Sequence, residues 1–135
     1  MAANTQPIFP KVPKVQFGKV LTANTAKDGT GTVVPIFTAG LEGSRVDTIK
    51  VRSLGTNVAT VLRIFINNGA TNATVTNNTL YMERTIPATT VIETAELSDI
   101  EIPINISLPN GYVLNVTVGT TIAAGVQVTA IGGDY

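Results

Sequence analysis

The chain has 135 residues, of which nine are basic and nine acidic, so its formal net charge is zero. A chain of this length has room for one hydrophobic core, and a balanced surface without blocks of one sign carries no electrostatic footprint for nucleic acid or an anionic membrane. The absence of His and Cys excludes the usual neutral-pH general base, a thiolate nucleophile, disulfides and nearly all zinc or copper ligation.

Residues 1–14 carry Pro7, Pro10 and Pro13, which fix φ three times and remove three amide donors. An extended arm is expected there, ahead of a single domain over 15–135. Its apolar points are Ile8, Phe9 and Val12, and its basic ones Lys11 and Lys14. The arm either folds back on its own domain or docks on a neighbouring subunit. No apolar h-region precedes Pro13 and no apolar run reaches the length of a spanning helix, so the chain reads as soluble and non-secreted.

Thr, Val and Ile recur along the rest of the chain and no amphipathic helical run forms, which tips the balance to sheet. A short strand is expected from Val15 to Leu21, then a turn at Asp28 to Gly31, then a strand from Val33 to Thr38. Pro35 places that strand at a sheet edge or a bulge. Val46 to Arg52 and Val61 to Asn67 read as two neighbouring strands. In the second, Leu62, Ile64 and Ile66 share the core face, while Val61, Arg63 and Phe65 share the other. Because Phe65 makes that second face partly apolar, a subunit contact or a covering loop is needed, and the three residues are a candidate subunit interface.

Asn67 to Asn78 reads as a loop, with Asn68-Gly69 a strong turn signal. Leu80 to Ile86 is the next strand, and Thr90 to Leu97 is unassigned. Ile100, Ile102, Ile104 and Ile106 then alternate with polar residues, in a strand that Pro103 makes an edge or a bulged one. Pro109-Asn110-Gly111 is a sharp turn. Leu114, Val116 and Val118 line one face of a further strand, and Val126 to Ile131 forms the last. About eight short strands at this spacing indicate an antiparallel sandwich or barrel. An immunoglobulin-like sandwich stays open, although its buried Trp and Cys pair are missing.

The chemistry available is narrow. Ser44, Ser53, Ser98 and Ser107 have no histidine to activate them, so a standard triad is excluded. Glu93, Glu96, Asp99 and Glu101 form a loose acidic cluster that could hold Ca²⁺ or flank a glycosidic bond, but a solvated rim is the simpler reading. Asp28-Gly29-Thr30-Gly31 lacks the Lys-Ser/Thr of a phosphate loop and precedes a strand, so it is a turn. Asn72, Asn77, Asn105 and Asn115 each open an Asn-X-Ser/Thr triplet, here read as polar cover for a sheet. No cofactor, metal or catalytic residue is expected.

Thr22 to Gly40, then Gly43 to Val51, then Val61 to Gly69, with Ile131 to Tyr135 as weaker support, resemble small virion proteins of tailed bacteriophages, of the capsid cement or decoration type. The resemblance implies a jelly-roll-like fold, a place on the capsid surface bridging subunits of the major capsid protein, and trimerisation. Ile8, Phe9, Lys11, Val12 and Lys14 would be the capsid-contact arm. A tail or fibre attachment component and a carbohydrate-binding sandwich module are the alternatives, the latter disfavoured by the shortage of aromatic residues.

Overall fold

The computed structural model describes residues 9–135. They form β1 (Val12–Val20), β2 (Val34–Thr38), β3 (Ser44–Ser53), β4 (Thr60–Asn67), β5 (Asn78–Ile86), β6 (Asp99–Leu108), β7 (Val113–Val118) and β8 (Val126–Asp134). A single 3-10 turn, Val75–Asn77, precedes β5. The eight strands fall where the two-residue period places them, except that β1 starts three residues early, β8 runs three residues past Ile131, and Thr90 to Leu97 holds only an isolated Ile92–Ala95 bridge.

The strands pair antiparallel as β1 with β8, β2 with β7, β3 with β6 and β4 with β5. This is one long hairpin rolled up on itself. Additional pairing of β3 with β8 and β4 with β7 closes two four-stranded sheets, ordered β1-β8-β3-β6 and β2-β7-β4-β5. The result is a jelly-roll β-sandwich. β3 and β4, read from sequence as neighbours, lie in opposite sheets. Short loops in a sandwich can arch from one sheet to the other, and strand periodicity alone does not report which route the chain takes.

Both prolines sit as their chemistry requires. β2 and β6 are edge strands, and each carries a register shift beside its proline, between Pro35 and Phe37 in β2 and opposite Val46 to Thr48 in β6. At the second, β6 is one residue longer than β3, and the extra length is taken up where Asn105 adopts φ of 48°. The partner strand on the other side of β3 needs Gly132 there, since a Cβ would stand 1.9 Å from the Arg45 carbonyl oxygen.

The core lies between the sheets. Leu62, Ile64, Leu114 and Val116 are each fully buried, and Ile49, Ile102 and Val128 meet them from the opposite sheet. Ile66 packs against this cluster at its margin. At about 25 cal/mol per Å² of apolar surface removed from water, this layer supplies the main favourable term in folding.

Candidate functional site

The acidic cluster does not converge. Glu93, Glu96, Asp99 and Glu101 are all exposed, and the Asp99 carboxylate is occupied, with Oδ2 3.5 Å from both Lys50 Nζ and Arg52 Nη1. Among the described residues no group of three or more acidic side chains is placed to hold a metal ion. Asp28 caps its own turn, its Oδ1 accepting from the Thr30 hydroxyl at 2.6 Å and the Thr30 amide at 3.1 Å. Those two bonds hold its carboxyl below the ordinary value. Asp28 to Gly31 is therefore a turn, with its acid engaged locally.

The face carrying Val61, Arg63 and Phe65 is covered from within the chain. Phe65 stands outside the core cluster yet has no exposed surface, Arg63 is 8% exposed and Val61 is half-buried. The connection 21–33 is anchored on both sides of β4. At one side Ala23 bridges to Val118 and the Asn24 amide donates to the Val118 carbonyl at 2.9 Å, which fixes the segment beside β7. At the other side Asn72 Nδ2 donates to the carbonyls of Gly29 and Gly31 at 3.0 and 2.8 Å, and Asn78 Nδ2 to that of Asp28 at 3.1 Å, fixing it beside β5. β4 lies between β7 and β5, and the opposite sheet fills the inner side. This strap is therefore held at both flanks of β4.

Asparagine side chains stiffen this strap. Asn24 Nδ2 donates to the carbonyls of Thr30 and Thr32 at 2.9 and 2.8 Å, and its Oδ1 accepts from the Ala26 amide at 3.0 Å. Asn67 Nδ2 donates to Asn78 Oδ1 at 2.8 Å, tying the anchor back to β4. On the face shared with Phe65, Arg63 Nε donates to Glu83 Oε1 at 2.8 Å. Phe65 has no exposed surface in the single chain. The signal available in sequence was the number of Asn residues in 67–78, more than a turn needs.

The proline-rich start is partly built into the domain. Val12, Pro13 and Lys14 belong to β1 and pair with Asp134, Gly133 and Gly132 of β8. The Lys11 amide donates to the Asp134 carbonyl at 2.8 Å. An edge strand accepts proline because the missing N–H costs no ladder bond on its open side. Lys14 is committed as well, with Nζ 3.2 Å from Asp134 Oδ1, bonded to the Thr38 carbonyl and 5.2 Å from the Phe37 ring centre. Phe9, Lys11 and Val12 keep exposed side chains, and Ile8 lies outside the described residues.

Two exposed apolar surfaces escape sequence reasoning. Along β1, Val15 and Phe17 are 57% and 67% exposed and border a groove of about 350 Å³ between β1 and β2, lined also by Pro35 and Phe37. At the end of the sandwich where β3 passes to β4, Leu54, Val58, Val91 and Ile92 stand exposed on two loops. Asn57 locks these loops together. Its Oδ1 accepts from the amides of Ala124 and Gly125 at 2.8 and 3.2 Å, its Nδ2 donates to the Gly125 carbonyl at 2.9 Å, and its backbone pairs with Thr89.

No protein-family model and no curated protein matches the chain. Among solved structures it is similar to a chain described as "Structure of infectious bursal disease virus Gt strain", at 13% identity and a TM-score of 0.31, covering 98% of this chain and 38% of that one. The chain spans less than half the length of that neighbour. The fold is assigned from the strand order, which stands independently of the likeness: this chain is an all-β jelly-roll sandwich.

Proposed function

We propose that the chain is a structural virion protein, a capsid cement or decoration protein that bridges subunits of a major capsid protein. The observation that carries the reading is the jelly-roll strand order, found in a chain whose segments 22–40, 43–51 and 61–69 resemble phage virion proteins of this kind. Jelly rolls also serve as cupins and lectins. A chain without His, Cys or Trp has little for a cupin-type metal site or an aromatic sugar platform, which leaves assembly.

Shell binding needs only weak contacts repeated many times, since simultaneous engagement multiplies modest affinities. The contact surface in this reading is Phe9, Lys11 and Val12 together with the exposed Val15 and Phe17 row of β1. Trimerisation follows from the resemblance and would use that row or the loops bearing Leu54 and Ile92, because Phe65 is already covered. The test is the composition of purified particles of the virus that encodes the chain. The expected result is a copy number near that of the major capsid protein and earlier thermal disruption of particles lacking it. Absence from purified particles would overturn the reading.

A further inference from the structure

We propose that Asn110 is a site of spontaneous deamidation in the folded protein, whereas Asn68, which heads the chain's other Asn-Gly pair, is protected by the fold. The two pairs have the same local chemistry. In each, glycine leaves the following amide nitrogen unshielded, so that it can reach the asparagine side chain. What differs is the structure around them.

At Asn110 little opposes the rearrangement. The residue is exposed, and among the described residues its side chain makes no hydrogen bond. The Gly111 amide, the attacking nitrogen, donates only at 3.4 Å to the Ala39 carbonyl, a long and weak bond. Nothing lies within 4 Å of where a Cβ on Gly111 would be, so water can reach that side of the turn.

At Asn68 every participating group is held. Its Oδ1 accepts from the Ala70 amide at 3.1 Å and its Nδ2 donates to Asn77 Oδ1 at 3.1 Å. The Gly69 amide donates to Asn67 Oδ1 at 2.7 Å. A Cβ on Gly69 would stand 2.7 Å from the Gly111 carbonyl oxygen, so one side of this turn is closed by the other. Cyclisation here requires three hydrogen bonds to break, each with a net worth of several-fold in an equilibrium constant.

The reaction consumes water and needs no cofactor. Hydroxide takes the proton of the Gly111 amide, whose nitrogen attacks Asn110 Cγ. A new C–N bond forms, the Cγ–Nδ2 bond breaks, and Nδ2 takes up one proton from water and leaves as ammonia. Water then opens the cyclic imide at either carbonyl, giving aspartate or isoaspartate at position 110. The net change is amide plus water to acid plus ammonia, with no oxidation or reduction. A negative charge appears on the exposed turn between β6 and β7, in a fraction of copies set by the age of the protein.

The experiment ages the purified full-length chain in mildly alkaline buffer and follows both sites by peptide mass and isoaspartate assay. Trypsin separates them, since cleavage after Arg63 and Arg84 puts Asn68 in 64–84 and Asn110 in 85–135. The expected result is conversion at Asn110 roughly tenfold or more faster than at Asn68 in the native protein, with comparable rates in denaturant. Asn77→Ala, which frees the Asn68 amide, should speed conversion at Asn68 and leave Asn110 unchanged. If that variant fails to fold, the native and denatured comparison decides alone. Equal native rates, a faster Asn68, or an intact native Asn110 would overturn the proposal.

Discussion

Lys14 Nζ lies 3.2 Å from Asp134 Oδ1, an ion pair that joins the start of the first strand to the end of the last. The Ser44 hydroxyl donates to the same carboxylate, and the Gly40 amide donates to Ser44 Oγ at 2.9 Å. Three segments of the chain, β1, residues 40–44 and β8, meet at one acid. The Ser44 bond, then Lys14, holds the Asp134 carboxyl below its ordinary value, against the opposing effect of burial.

A depressed folded-state pKa means that the unfolded chain binds the proton more readily. The stabilisation from Asp134 is therefore present above its unfolded value, near 3.8, and is lost as pH falls through the lower folded one. Asp134→Asn should lower stability by about 1–2 kcal/mol at neutral pH and flatten the fall of melting temperature on the acid side. Melting curves of both proteins across the acid range check this; parallel pH profiles would show that the acid limb has another source.

Phe65→Ala should destabilise the protein by about 3–5 kcal/mol, the usual cost of emptying a buried aromatic site, and Leu62→Ala by about 2–5 kcal/mol. Phe17→Ala, at a side chain 67% exposed, should stay within about 0.5 kcal/mol. Denaturant unfolding of the three variants decides. A mild effect at Phe65 would mean that its face of β4 opens freely.

Asn57→Ala removes the acceptor for two amides and the donor to one carbonyl in a site 5% exposed. The loss should be about 2–3 kcal/mol, because the abandoned backbone groups are left without partners. Hydrogen exchange should quicken at Ala124 and Gly125 before the sheets are affected. Unchanged protection there would show that those amides find other acceptors.

Deleting residues 2–9 should leave the melting temperature nearly unchanged, whereas deleting 2–14 should lower it. The longer cut removes the first three residues of β1, the Lys11 amide bond and the Lys14 ion pair. Thermal unfolding of the two truncations is the measurement, and equal melting temperatures would mean that this end of β1 contributes nothing to the fold.

That last contrast marks where sequence reasoning reached its limit. Pro35 and Pro103 gave edge position and irregular register directly, because a missing N–H has few places to go in a sheet. Pro13 obeys the same rule, but three prolines in succession suggested an arm, since the open edge of β8 that β1 fills is made by residues 120 positions away. The alternation of Leu62 and Ile64 with Arg63 and Phe65 was legible as two faces. The strap anchored on both sides of β4 was not, because it is held by side-chain amides whose carbonyl partners lie 41 to 50 residues off. The acidic cluster does not converge, and the residues that do gather, at Asp134 and Asn57, join segments whose proximity is set by the strand order.

That strand order also bears on how the chain reaches its native state. The pairings nest, so only β4 and β5 can meet early through a short loop, and each outer pair must close a longer one. β8 lies inside its sheet, between β1 and β3. Until its nine residues arrive, β1 has no neighbour in that sheet and β3 keeps a bare edge. During synthesis the molecule therefore stays open along one side until β8 has been made, and closure is governed by contacts of long sequence separation, the slow regime for single domains.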